Sequence, residues 1–225
     1  MAPYQYYQTL SIRHFVICLL VAIPTFGDLT LSTLFNQVSA QSAETPKRKK
    51  LAKLIEPTEA QLDAAKTAYA KHGGKYIESH DPAMVETFSP HIFDFRGATD
   101  DDIDGLPDLP FNFGVSCRGS NLTEIGLKRI GELKNVTLID LSQSKITDSA
   151  LKNFSNAKSL RYLSLEHTHV TDAGLENLHP LTEMQVLVLG NTKNVTPSMK
   201  LKPTPVTEVG VEKFRKALPE CRIYR

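Results

Sequence analysis

Tryptophan is absent from the 225 residues, and cysteine occurs only as Cys18, Cys117 and Cys221. So few thiols cannot build a disulfide-framework scaffold. Cys117 falls on a core position of the pattern described below and Cys221 lies near the C-terminal end, so both read as unpaired thiols, one of them buried as a small hydrophobe. Charge of a single sign does not accumulate either. Lys and Arg number 26 against 25 acidic residues, a formal balance of +1 that creates no field to gather nucleic acid or an anionic membrane surface. No glycine-rich phosphate loop follows a strand-like run, and no nucleophile elbow or HExxH is present. Hydrophobic residues at 41% and charged residues at 23% fit a folded chain and not a disordered one.

A bilayer-length apolar segment is missing as well. The run from Phe15 to Ile23 is stopped by Pro24, and Asp28 follows, so the uninterrupted part is about half of what a bilayer requires. Arg13 and His14 precede it, and Val38 and Ala40 offer small residues for a signal peptidase. A basic edge, a short apolar run and a small-residue site read as a secretory signal cut after Ala40, with an unusually long stretch between core and cut. An uncleaved anchor is the competing reading. No cysteine stands near the candidate cut to carry a lipid.

After the cut, Pro46 to Lys50 (PKRKK) reads as a solvated linker or helix edge. Thr58 with Gln61 three residues later makes a capping box, Leu62, Ala65 and Tyr69 share one stripe, and Gly73-Gly74 ends the helix. This helix, Thr58 to His72, with Lys75 to Ile77 after it, is the expected cover for an end whose apolar face would otherwise meet water.

Self-similarity at a spacing of 24 residues dominates the rest. VTLIDLSQSKITDSAL (Val136 to Leu151), LRYLSLEHTHVTDAGL (Leu160 to Leu175) and MQVLVLGNT (Met184 to Thr192) align, VSCRGSNLTEIGL (Val115 to Leu127) is an earlier copy, and IFDF (Ile92 to Phe95) is a fainter one. Ile139 and Leu141, Leu163 and Leu165, Leu187 and Leu189 alternate with period two, which predicts short strands with two side chains inward and the middle residue outward. Ser144, Thr168 and Thr192 occupy the turn after each strand, where a short hydroxyl bonds turn backbone.

A helix start follows in every copy. Thr123, Thr147, Thr171 and Thr207 are each followed by an acid, the pattern of an N-cap with a dipole-opposing first turn. Leu127 and Ile130, Leu151 and Phe154, Leu175 and Leu178, Val211 and Phe214 then give apolar pairs three apart. In the last copy Thr207 arrives 12 residues late, so KNVTPSMKLKPT at 193–204 is expected as a projecting insertion. A helix to Leu218 and an edge at Ile223 end the chain.

These units resemble the leucine-rich repeats of the short VTDAGL type found in exported proteins of planctomycete-like bacteria, and are similar to the cysteine-containing subclass. The resemblance covers about Ile92 to Arg225. It implies an α/β leucine-rich-repeat solenoid, a short horseshoe with parallel strands on the concave face and short helices on the convex one. It implies that the concave face serves as a protein-interaction surface. The expected organisation is 1–40, signal peptide or uncleaved anchor; 41–90, linker and N-terminal helical cap; 91–225, repeat domain with its insertion at 193–204.

Strand alternation places Arg96, Arg118, Leu138, Asp140, Tyr162, Ser164, Glu166, Val186 and Val188 on the outward face as candidate contacts for a protein or peptide. Tyr162 between aliphatics suits an anchor, although solenoid strands also expose a Val or Leu with no ligand. The expected class is a non-enzymatic binding module of the envelope or exterior. A structural envelope scaffold is the alternative, and the membrane takes part only if the N-terminal segment stays uncut. No cofactor is expected. Asp100 to Gly105 (DDDIDG) begins like a calcium loop but has Phe111 where the bidentate Glu belongs, and His167 and His169 lack a third ligand, so a metal-dependent module is remote.

Overall fold

A computed structural model describes residues 53–80, 88–190 and 203–225. The expected signal segment and most of the expected insertion lie outside the described residues. Chain order gives helix α1 (Glu59–Ala70), β1 (Lys75–Glu78), β2 (His91–Asp94), α2 (Asp100–Ile103), β3 (Phe113–Ser116), α3 (Glu124–Glu132), β4 (Val136–Asp140), α4 (Asp148–Leu151) continuing as a 3-10 turn at Lys152–Phe154, β5 (Tyr162–Ser164), α5 (Asp172–Glu176), β6 (Val186–Val188), α6 (Glu208–Ala217) and β7 (Arg222–Tyr224).

The strands form one seven-stranded sheet in chain order. β1 pairs antiparallel with β2, and every later pair is parallel. Register makes rows across the strands. Phe93, Val115, Ile139, Leu163, Leu187 and Ile223 form the inward row. All but the edge residue Ile223 are fully buried. Each coil is too short to shield its own apolar side, so the row is shared from neighbour to neighbour. Helix residues Leu127, Ile130, Leu151, Phe154, Leu175, Leu178 and Phe214 join the same core.

Helix α1 has both halves of its capping box, Thr58 accepting from the Gln61 amide and Gln61 accepting from the Thr58 amide. Its Tyr69 is fully buried, with ring centroids 4.3 Å from Phe93 and 5.9 Å from Phe113, and its hydroxyl donates to the Pro107 carbonyl. Gly73, at φ +81, makes the left-handed turn that ends the helix region.

Coils are also clamped at their helix starts, by a device the repeat pattern did not announce. The Asp148 carboxylate accepts from both the Thr171 amide (2.7 Å) and its hydroxyl (2.6 Å) one coil later. Asp100 does the same for Thr123, and Asp172 for Thr207. Bonds from Thr207 hold the Asp172 carboxyl below the usual carboxylate range. Each clamp needs space, and a glycine supplies it. A Cβ on Gly126, Gly174 or Gly210 would stand 2.5, 2.3 or 2.1 Å from the preceding aspartate's oxygen.

The exception follows the same rule. The α3 helix starts with Glu124, Thr147 makes no such bond and pairs with Ser149 at 3.2 Å instead, and the glycine position is Ala150. Installing Asp alone at 124 should gain nothing, because Ala150 occupies the space its carboxylate needs. Glu124→Asp with Ala150→Gly should stabilise by about 1 kcal/mol, two charge-assisted bonds offset by a helical glycine. Urea midpoints of both single variants and the double test this. Additive effects would contradict the clamp.

One residue of the expected insertion, Thr204, packs against a repeat turn. Thr204 is buried, donates to the Leu165 carbonyl at 2.7 Å and accepts from the Thr168 amide at 3.5 Å. It stands three residues before Thr207, as Thr168 stands three before Thr171. It therefore belongs to the repeat turn and not to the projecting segment.

Candidate functional site

The face turned away from the core carries two rows of side chains. One runs Ile77, Ile92, Gly114, Leu138, Tyr162, Val186, Arg222, and the other Lys75, Asp94, Ser116, Asp140, Ser164, Val188, Tyr224. Alternation had placed Leu138, Tyr162, Val186, Asp140, Ser164 and Val188 here, and the register brings them together. Arg96, Arg118 and Glu166 follow one pleat farther along their chains.

Sharing a row does not make each residue accessible, and two of the candidate contacts are buried. Leu138 is only 4% exposed. Its neighbour Gly114 has no side chain, and a Cβ there would lie 3.1 Å from Leu138 Cβ and Cδ2, so Leu138 leans into the gap. Ser164 is likewise 4% exposed, between Asp140 and Val188. Neither offers a partner much surface. Asp140, Tyr162, Glu166, Val186, Val188 and Arg118 are half-buried, and Arg96 is exposed.

A residue missed in the sequence closes one side of this face. Phe88 is buried, and its ring meets Tyr162 edge-on at 5.4 Å. The carbonyl of Phe88 accepts from the Thr137 hydroxyl. The Ser89 hydroxyl donates to the Asn112 carbonyl at 2.8 Å, and the Ser79 amide donates to the Pro90 carbonyl at 2.7 Å. Segment 88–90 is thus bolted onto the sheet. Non-repeat sequence carries no periodicity, so only its aromatic character hinted at this.

Charges on the face are unevenly compensated. Arg96 pairs with Asp94 at 3.7 Å, Ser116 donates to the same carboxylate, and Arg118 donates to Gln143. The Asp140 carboxylate accepts from the Ser142 amide at 2.9 Å. His167, at φ +56, lies 3.5 Å from Glu166.

The cysteines and the calcium-like run have structural surroundings. Burial, with Asp140 and Asp94 nearby, pushes the Cys117 thiol up, and burial pushes Cys221 up to about 12. A thiol in that state is not a nucleophile at neutral pH. Asp100 and Asp102 of the calcium-like run are spent as caps, Asp102 on Thr99 and Asp100 on Thr123. No group of three His, Cys, Asp or Glu among the described residues could hold a metal ion. No helix among them is long and apolar enough to cross a membrane.

The architecture is an α/β solenoid-like stack of alternating strands and short helices, broadly of leucine-rich-repeat type. No family model and no curated protein matches the chain. Among solved structures, a leucine-rich-repeat protein of Leptospira interrogans is similar at 24% identity and TM-score 0.39, over 55% of this chain and 27% of that one. Internalin C2 of Listeria monocytogenes is similar at 19% identity and TM-score 0.44, over 78% of this chain and 69% of that one. The chain thus spans about a quarter of the length of the Leptospira protein.

Proposed function

We propose that this chain is a non-catalytic binding module that engages a protein or peptide segment through the sheet face turned away from its core, in the cell envelope or outside the cell. The observation that carries the reading is the patch of half-buried apolar side chains on the adjacent strands β5 and β6, Tyr162 in register with Val186 and Val188 one pleat along β6. Rigid strands supply a preorganised surface, so little ordering entropy is lost when a partner lands. Membership in the short VTDAGL subclass, on the helix starts at Thr123, Thr147, Thr171 and Thr207, belongs to the same proposal. So does export through the segment before Ala40.

A photoreactive benzoylphenylalanine tests the face directly. Placed at Val188, it should yield a cross-linked adduct in envelope extract, while the same group at the exposed Lys152 should not. Adducts at Lys152 with none at Val188 would overturn the reading.

A further inference from the structure

We propose that the sheet face takes a short extended peptide that joins an apolar side chain to a carboxylate, seated on Tyr162, Val186 and Val188 with its acid on Arg222. This inference rests on the binding reading above and narrows it. The N-terminal half of the face is closed: Leu138 has almost no exposed surface, and Phe88 stands against Tyr162 with its backbone bonded to Thr137. Beyond that half the face continues across β5, β6 and β7, with half-buried Tyr162 and Val186 and exposed Arg222 in one row and half-buried Val188 and exposed Tyr224 in the other.

Size selects among occupants. Three strands about 4.8 Å apart, read over two rows, offer on the order of 100–200 Å². A stable complex of two folded partners buries roughly 800 Å² on each. A second copy or a globular domain would need far more surface than this strip, whereas a peptide of a few residues fits it.

Charge selects the chemistry. Arg222 is exposed at the end of the apolar row, and its neighbours on the face are Val186, Val188 and Tyr224, none of them acidic. Glu208, on the last helix, is bound by Arg225 at 2.6 Å, and no ion pair joins Arg222 to another described acid. Arg96, at the opposite end, has Asp94 beside it. Arg222 is therefore a cation without an ion-pair partner among the described residues. A guanidinium in that position binds a carboxylate through paired N–H donors.

Fluorescein-labelled heptapeptides of alternating valine and glutamate, or valine and lysine, provide the probes, read by fluorescence polarisation with the full chain. The glutamate peptide should bind at least about tenfold more tightly, a difference of about 1.4 kcal/mol. Arg222→Glu, an exposed edge substitution, should reverse that order, and Val186→Asp should weaken both peptides. Equal binding of the two peptides, an order unchanged by Arg222→Glu, or no binding of either overturns the inference. If equal binding is still lost in Val186→Asp, the face reading stands and only the charge rule fails. Binding of both peptides undiminished by Val186→Asp would remove the face reading itself.

Discussion

Gly174→Ala is expected to destabilise the protein by about 1–3 kcal/mol, although alanine is the better helix former. The added Cβ would stand 2.3 Å from Asp148 Oδ1 and 2.9 Å from Val170 Cγ1, so the carboxylate must leave its place. Leaving breaks the two bonds to Thr171 at 2.7 and 2.6 Å and uncouples α4 from the start of α5. Gly174 does not have a positive φ, so the requirement is for space and not for a backbone conformation. That distinction is testable. In an Asp148→Ala background the oxygen is gone and only the 2.9 Å contact with Val170 remains, so Gly174→Ala should then cost markedly less. Chemical denaturation of the four proteins in this cycle gives the coupling. A cost for Gly174→Ala that is unchanged by removing Asp148 would show that the clamp is not what excludes the methyl group.

Leu163→Ala should cost about 2–5 kcal/mol, a large share of the 5–15 kcal/mol that holds a typical domain together. Leu163 is fully buried and lies in register between Ile139 and Leu187, so its removal opens a void in the middle of the shared row. Substitution in the same coil at Glu176, exposed on α5, should move the unfolding midpoint by less than about 0.5 kcal/mol. Urea unfolding of both variants checks the contrast. Equal, small effects would mean that the row does not carry the stability of the stack.

The inward row was legible because periodicity survives translation into geometry. Ile139, Leu163 and Leu187 recur every 24 residues, and a two-residue alternation leaves them one direction to point. Helix starts were legible for a related reason: Thr123, Thr171 and Thr207 each accept from an amide two or three residues on, as a threonine N-cap should. The clamps were also present in the sequence, though harder to see. Wherever the preceding coil has Asp the next has Gly, and where it has Glu124 the next has Ala150, a correlation between coils that single-coil patterns do not expose.

The outward sheet face was legible only as an arrangement. Alternation assigned Leu138 and Tyr162 to the outward rows, yet could not say that Phe88 would fold onto Tyr162 or that Gly114 would let Leu138 sink. Both effects depend on residues without a repeat partner, the first outside the repeats and the second an absent side chain. Thr204 escaped for the opposite reason. It follows the repeat rule closely, but the stretched last copy hid the spacing that would have revealed it.

Hydrogen exchange at three amides tests the shared sheet most directly. Leu141 donates to Ser164, Leu165 to Val188 and Leu189 to Tyr224, each bond joining one coil to the next. All three should exchange far more slowly than in an unstructured peptide, and Leu163→Ala should accelerate the first two. Unprotected exchange at these amides, with the α3 and α6 amides still protected, would mean that helices form without the stacked strands and would contradict the solenoid.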